Sequence, residues 1–178
     1  MDQVRLGRSG VIGASSMWAW QFSKMQFTAD LNGWTRFISM QDEYNLIMRE
    51  EEREMFGLLA DSGVGSIPFS PLAKGRVCRP WGQTSARMDV DPVGKRYDQD
   101  ADAPIVGAVQ RVAEARGVPM AQVALAWVLS KPVVSAPIVG PTTLHHLTDA
   151  VAALDLVLTD DEVTALEEHY APHIPRSF

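Results

Sequence analysis

The sequence of 178 residues contains a single cysteine, Cys78, so an internal disulfide is excluded. No histidine lies near Cys78 in the sequence, and the thiol is predicted to be inert. A long apolar run is also missing, because the most apolar segment, residues 118–129, is too short to cross a bilayer and includes Pro119 and Gln122. Residues 1–5 lack the apolar core of a signal peptide. These absences predict a protein of the cytoplasm, where thiols stay reduced.

An excess of positive charge is missing as well. The 16 Lys and Arg residues are outnumbered by 22 Asp and Glu residues, which gives a formal net charge of −6. Nucleic acids and anionic membranes are bound by basic surfaces, so both classes of partner are excluded. Hydrophobic residues make up 46% of the sequence and charged residues 21%, which are ordinary proportions for a globular protein of one domain.

Histidine pairs suited to a metal ion are few. His145 and His146 are adjacent and diverge by roughly 100° on a helix, so they cannot easily share an ion. His169 and His173 have the spacing of a helical metal-binding pair, but Pro172 between them is predicted to end the helix first. Because no third ligand or carboxylate cluster accompanies them, no metal site is predicted.

Short apolar segments alternate with segments of helical periodicity. Strands are predicted at residues 11–16, 36–41, 64–69 and 135–140, and helices at residues 17–32, 49–61, 103–116, 119–129, 145–154 and from a Thr159 to Glu162 capping box toward His169. Gly63 and Gly117 are placed to end two of the helices. Residues 76–101, rich in Gly, Pro, Asp and Arg, are predicted to form a long irregular loop. The alternation predicts an α/β fold with four parallel strands covered by helices.

The third predicted strand ends in residues suited to a ligand, since ligands of α/β proteins bind where strands end. Phe69 offers a flat face for a ring, and the Ser70 hydroxyl, the backbone N–H groups and Gly75 can approach a phosphate. A structural reading stays open, in which Phe69 is a core residue and Gly140 and Thr142 belong to a helix cap without a ligand. Gly140 and Thr142 can belong to a helix cap and still contact a ligand, because helix N-termini bind phosphates.

Five motifs follow one another in a fixed order. They are IGASS at residues 12–16, MQDEYNL at 40–46, REEEREM at 49–55, PFSPLAKG at 68–75 and PIVG at 137–140. Together they closely resemble the C-terminal half of an aldo/keto reductase, a family of TIM barrels that use NADP(H) to reduce carbonyl compounds. The resemblance covers nearly the whole chain from about residue 11. It implies half a TIM barrel, residues 11–178, whose four strands are the fifth to the eighth, preceded by an atypical leader, residues 1–10.

The resemblance also implies which residues hold the nicotinamide. Ser15 and Ser16 match the pair at a strand end that hydrogen-bonds the carboxamide, although the second position is commonly Asn in the family. Gln41 matches a glutamine that reaches the same group. Phe69 matches the aromatic residue, usually Tyr or Trp, that stacks on the nicotinamide ring.

Two further loops are implied to hold the phosphates and the adenine. Ser70, Leu72 and Gly75 match the loop over the pyrophosphate. The last loop and helix, which bind the adenosine 2′-phosphate and the adenine, are matched by Gly140, Thr142, His146, Asp149 and Ala150. Family members often have Arg, Lys or Gln at the His146 position. Because a neutral histidine carries no fixed charge, the preference for NADP over NAD stays open.

Catalytic residues are not assigned, because the tetrad of this family, Asp, Tyr, Lys and His, lies on the first four strands. Among the tyrosines of the chain, Tyr44 alone is placed near a cofactor, where it could donate a proton. The alternative is that its ring packs below the mouth of the barrel. By resemblance, the substrate of the complete enzyme is a small carbonyl compound.

Half a barrel leaves two sheet edges unpaired, and Ile38, Ile67 and Ile138 lose the opposite wall of their core. We therefore expect self-association or pairing with a complementary N-terminal half. The function that the resemblance implies is NADP(H)-dependent reduction of aldehydes or ketones, with this chain as the cofactor-binding half, inactive alone. Two alternatives stay open: a non-catalytic NADP-binding or interaction protein like the channel β-subunits, and a decayed, truncated product.

Overall fold

A small parallel sheet forms the framework of the computed structural model, which describes residues 11–85, 97 and 99–172. Its strands are β1 (Ile12–Ser15), β2 (Phe37–Gln41) and β3 (Gly65–Ser66), and they lie side by side in chain order. β1 pairs with β2, and β2 pairs with β3, both in the parallel orientation. The parallel α/β arrangement that the alternation predicts is therefore confirmed. The predicted leader, residues 1–10, lies outside the described residues.

The prediction of a fourth regular strand at residues 135–140 is wrong. In the described part of the chain the sheet has three strands. An isolated bridge joins Ser66 to Val134, just before the predicted fourth segment, and that segment itself makes only single hydrogen bonds to the third. The Ser135 N–H donates to the Ser66 carbonyl, and the Ile138 N–H donates to the Pro68 carbonyl, both at 2.8 Å. A regular ladder cannot continue here because Pro68 and Pro137 have no N–H to donate.

Six α-helices lie in the described residues. They are α1 (Ala19–Asn32), α2 (Met55–Ser62), α3 (Ala103–Arg116), α4 (Met120–Leu129), α5 (Leu144–Ala152) and α6 (Asp160–Glu167), with shorter 3₁₀ helices at Glu50–Glu52, Ala73–Cys78, Asp100–Asp102 and Ala153–Asp155. The helix predicted at residues 49–61 is thus divided into a 3₁₀ turn and α2. None of these helices has the length and apolar character that a membrane span requires. Of the predicted irregular loop at residues 76–101, residues 86–96 and 98 lie outside the described residues.

Local signals set the ends of several helices. Gly63 and Gly117 follow α2 and α3 with positive φ angles of 67° and 66°, a left-handed conformation that glycine adopts without a steric cost. The capping box before α6 is also confirmed: the Thr159 hydroxyl accepts from the Glu162 N–H at 3.3 Å, and the Glu162 carboxylate accepts from the Thr159 N–H at 2.8 Å.

Two apolar clusters form the core. The larger one includes Val106 on α3, Trp127 on α4 and Tyr44 after β2, and the smaller one joins Phe22 on α1 to Met40 on β2. Burying a large apolar side chain contributes about 1.5–3 kcal/mol. The larger cluster therefore holds α3 and α4 together, and the smaller one holds α1 and α2 against β2.

Two glycines of the sheet lie close to serine side chains of neighbouring segments. A Cβ built on Gly13 would lie 2.6 Å from Oγ of Ser39, and one built on Gly65 would lie 2.1 Å from Oγ of Ser135. A side chain at either position would therefore require the neighbouring serine hydroxyl to move. Ile38, for which the sequence predicts a missing opposite wall, is 52% exposed. Ile138 is exposed as well, whereas Ile67 is half-buried.

Candidate functional site

Three predicted nicotinamide ligands lie together at the ends of β1 and β2. The Ser16 N–H and the Ser15 hydroxyl both donate to the Gln41 carbonyl, each at 3.2 Å. The Ser15 and Ser16 hydroxyls are 3.4 Å apart. Ser16 has a positive φ of 42°, which turns the chain sharply as it leaves the strand. Ser15 is exposed and Ser16 and Gln41 are half-buried, so the three side chains can reach a ligand.

The predicted stacking residue Phe69 is joined to the segment after β2. Its N–H donates to the Asp42 carbonyl at 2.7 Å, and its carbonyl accepts from the Tyr44 N–H at 3.4 Å. Phe69 and Glu43 also form an isolated parallel bridge. Phe69, which is half-buried, therefore lies beside the segment that directly follows Gln41. The tertiary structure thus brings the four predicted nicotinamide ligands to three neighbouring strand ends.

The loop predicted to cover the pyrophosphate is strained. Ser70, Ala73 and Lys74 have positive φ angles of 53°, 46° and 57°, and Gly75 has one of 95°. A left-handed conformation costs a residue other than glycine roughly 1–2 kcal/mol, and such strain clusters at ligand sites. Two hydrogen bonds close the loop, from Ala73 N–H to the Ser70 carbonyl at 2.9 Å and from Gly75 N–H to the Leu72 carbonyl at 2.7 Å.

The predicted 2′-phosphate site is the N-terminus of α5. The Thr143 hydroxyl caps this helix by accepting from the His146 N–H at 3.3 Å. His146 Nδ1 lies 3.2 Å from the Thr142 hydroxyl, so Thr142 fixes the orientation of the imidazole. Gly140, Thr142 and His146 are all exposed. The exposed N–H groups and the helix dipole at this end favour an anion.

The two remaining predicted residues of this helix contact the protein itself. Asp149 accepts from the Gln122 side chain at 3.1 Å and lies 3.2 Å from Nε2 of His145. Ala150 is half-buried. These contacts attach α5 to α4, and a role of either residue in binding adenine stays a prediction.

Buried carboxyl groups follow the predicted nicotinamide ligand Gln41 in the chain, and the sequence reasoning missed them. Asp42 is 1% exposed and accepts from the Ser66 hydroxyl at 3.1 Å; burial raises its pKa to about 7. Burial, together with the neighbouring carboxylates of Asp42 and Glu43, raises the pKa of Glu51 to about 8. Acidic residues straight after a strand were the available signal, because the turn that follows a strand can return them to the core.

Tyr44 is not placed to donate a proton to a substrate. Its side chain is fully buried, its ring stacks on Trp127 at 5.2 Å, and its hydroxyl donates to Glu52. Burial raises the pKa of this phenol far above its ordinary range, and the carboxylate of Glu52 raises it further. The structural reading of Tyr44 is therefore supported. Tyr97 and Tyr170 also donate their hydroxyls to glutamate side chains.

No set of three or more metal-ligating side chains occurs among the described residues. His169 lies beside Glu168 at 3.4 Å, and His173 falls outside the described residues. Burial raises the pKa of the Cys78 thiol to about 11, which keeps it protonated near neutral pH. The prediction that this thiol is inert is consistent with that shift.

The family model of the Aldo/keto reductase family matches residues 2–171. This chain belongs to the aldo/keto reductase family. It is 44% identical to the versiconal hemiacetal acetate reductase of Aspergillus parasiticus over 96% of the chain and 51% of the relative. It is 46% identical to an aldo-keto reductase of Fusarium vanettenii over 96% of the chain and 47% of the relative. An aldo-keto reductase of Alternaria alternata is 41% identical over 98% of the chain and 48% of the relative.

This aldo/keto reductase chain therefore spans about half the length of the curated relatives it matches. These three relatives are named as reductases. The chain's candidate nicotinamide residues, Ser15, Ser16, Gln41 and Phe69, come from separate segments of the sequence that are joined by hydrogen bonds and a bridge.

Proposed function

We propose that this chain is the C-terminal, cofactor-binding half of an NADP(H)-dependent reductase of aldehydes or ketones, and that its fold is half of a TIM barrel. The convergence of Ser15, Ser16, Gln41 and Phe69 on three adjacent strand ends is the observation that carries the proposal. A cytoplasmic location is part of it, because the single cysteine offers no internal disulfide.

The residues fit the chemical groups of the cofactor. Exposed hydroxyls and an amide suit a carboxamide, the Phe69 ring suits a flat heterocycle, and the N-terminus of α5 suits a phosphate. With Nδ1 accepting from Thr142, a neutral His146 would present Nε2–H as a donor toward that phosphate. When bound, NADP(H) supplies the hydride. The residues of this chain hold and orient it, while the resemblance places the proton-donating tetrad on the first four strands.

A fluorescence titration with NADPH tests the cofactor site. Wild type should bind, and Phe69→Ala should weaken the affinity by about tenfold, because a stacked aromatic pair contributes about 0.5–1.5 kcal/mol beyond its buried area. Phe69→Tyr should keep the wild-type affinity, since the ring is retained. Phe27→Ala serves as the control, because Phe27 is exposed on α1. An unchanged affinity of Phe69→Ala would contradict the stacking role.

The chain alone should bind cofactor without turnover. All three tyrosines are engaged with glutamate side chains, and burial keeps Tyr44 from acting as an acid. If the purified chain oxidised NADPH in the presence of an aldehyde, the division of labour proposed here would be wrong.

A partner is proposed from two apolar stripes, one on each of two helices. Trp20, Phe27 and Leu31 are exposed on one face of α1, and Leu147 and Val151 are exposed on one face of α5. By contrast, the apolar faces of α3 and α4 are buried in the core. In the described residues, β1 has a strand on one side alone, so its other edge is open. Exposed stripes and an open edge of this kind mark an interface.

We infer that a complementary N-terminal half covers these surfaces, because the relatives are about twice as long as the matched chain. Co-expression with the N-terminal half of a relative should give a one-to-one complex on size exclusion with light scattering. Leu147→Asp with Val151→Asp should abolish the complex, whereas Thr148→Asp, a change at an exposed polar residue of the same helix outside the apolar stripe, should not. If the chain alone formed a homodimer, self-association would be favoured over a complementary half. A monodisperse monomer of the chain alone, with cooperative thermal unfolding, would overturn the proposal.

A further inference from the structure

We propose that Asn45 is a positioning residue that sets the shape of the cofactor loop; this rests on the proposed cofactor-binding function. Its side chain is completely buried and makes three hydrogen bonds. Oδ1 accepts from the N–H groups of Ile47 and Met48, each at 2.9 Å, and Nδ2 donates to the Ser70 carbonyl at 3.0 Å. One amide thus joins the turn after β2 to the first residue of the loop after Phe69.

The hydrogen bond from Asn45 acts on a residue with an unusual backbone conformation, Ser70. Ser70 has a positive φ of 53°, and its carbonyl also accepts from the Ala73 N–H at 2.9 Å. A left-handed serine is strained and persists only where the surroundings hold it. The Asn45 amide supplies a second donor to the same carbonyl, so it stabilises the turn that carries the chain from Phe69 into the loop.

Asn45 is also the last of three successive contacts between the same two segments. The Phe69 N–H donates to the Asp42 carbonyl, and the Tyr44 N–H donates to the Phe69 carbonyl. These two bonds use backbone alone and tolerate many side chains, whereas the third needs a donor and an acceptor on one short side chain. Asparagine has both, with an amide that donates and a carbonyl that accepts.

The variant Asn45→Asp tests this role with almost no change in size. Ionised aspartate still accepts from Ile47 and Met48, but it cannot donate to the Ser70 carbonyl and places an oxygen against it. Asn32→Asp is the matched control, since the Asn32 amide also donates to a backbone carbonyl, that of Thr28 at 2.8 Å, on the exposed surface of α1. Both variants are to be compared with wild type by titration at pH 8.

Two probes separate positioning from general damage to the fold. We expect Asn45→Asp to bind NADPH about tenfold more weakly and adenosine 2′-phosphate unchanged, because the second probe needs only the loop and helix at α5. Hydrogen exchange at the Ala73 amide should be faster in the variant. Asn32→Asp should match wild type in all three measurements. Equal weakening toward both probes, or no weakening toward NADPH, would overturn the inference. If wild type itself binds neither probe, the proposed function fails and the positioning role fails with it.

Discussion

The Trp127→Ala variant is expected to lose about 3–5 kcal/mol of unfolding free energy, the usual cost of removing a large aromatic side chain from a core. Trp127 is fully buried and links three parts of the chain. Its ring stacks on Tyr44 after β2, and its indole N–H donates to Glu167 of α6 at 2.8 Å. Since a domain of this size is stable by only about 5–15 kcal/mol, this single change removes a large share of the total.

Charged groups around the ring add to this expectation. Lys131 Nζ lies 4.5 Å and Arg49 Cζ 5.3 Å from the indole centroid, and both cations also pair with Glu167. Burial raises the pKa of Glu167, but hydrogen bonds from Lys131 and Trp127 outweigh it and hold that pKa below its ordinary value. Without the indole, two cations and a carboxylate would remain beside a cavity.

Urea unfolding followed by circular dichroism measures this loss, and Trp127→Phe is the matched control. Phenylalanine keeps most of the packing but cannot donate to Glu167, which still accepts from Lys131. It should therefore lose less stability than alanine, about 1.5–3 kcal/mol for one lost hydrogen bond to a charged group. If the alanine variant unfolded within 1 kcal/mol of wild type, as a rough threshold, Trp127 would not join these elements in solution.

The second large effect is expected for Asp42→Asn, which should raise the unfolding free energy at pH 8. Asp42 is buried, and its pKa is raised from the ordinary value of 3.8 to about 7. The folded state therefore keeps a proton that the unfolded chain releases between these two values. The stabilisation from this proton is complete below pH 3.8 and is lost as the pH rises through 7. A shift of this size corresponds to about 4 kcal/mol, because one pKa unit is about 1.4 kcal/mol.

Asparagine removes the ionisation while its side-chain carbonyl can still accept the Ser66 hydroxyl. The variant should therefore exceed wild type by the most at pH 8, and the difference should shrink toward pH 4. Urea unfolding across this range measures it. Asp61→Asn, an exposed carboxylate on α2, should leave the pH profile unchanged. A constant difference between Asp42→Asn and wild type at every pH would show that Asp42 does not titrate as described.

Some features of the candidate site could be predicted from the sequence, and others could not. The serine pair, Gln41 and Phe69 end the predicted strands at residues 11–16, 36–41 and 64–69, so the parallel order of these strands alone predicts that they lie at one edge. The role of Asn45 could not be found in this way, because its partner Ser70 is 25 residues further along the chain. The burial of Asp42 could not be predicted either, because it depends on Ser66 of the neighbouring strand.

Local interactions were determined by the sequence itself: glycine after α2 and α3 and the capping box of α6 act within one turn of the chain, so the residue type is sufficient. The pairing of residues 133–138 with β3, the burial of Tyr44 and the contact of Trp127 with Glu167 were decided only by the tertiary structure. The physical reason is that burial and long-range hydrogen bonding depend on which elements pack together, and no single segment carries that information.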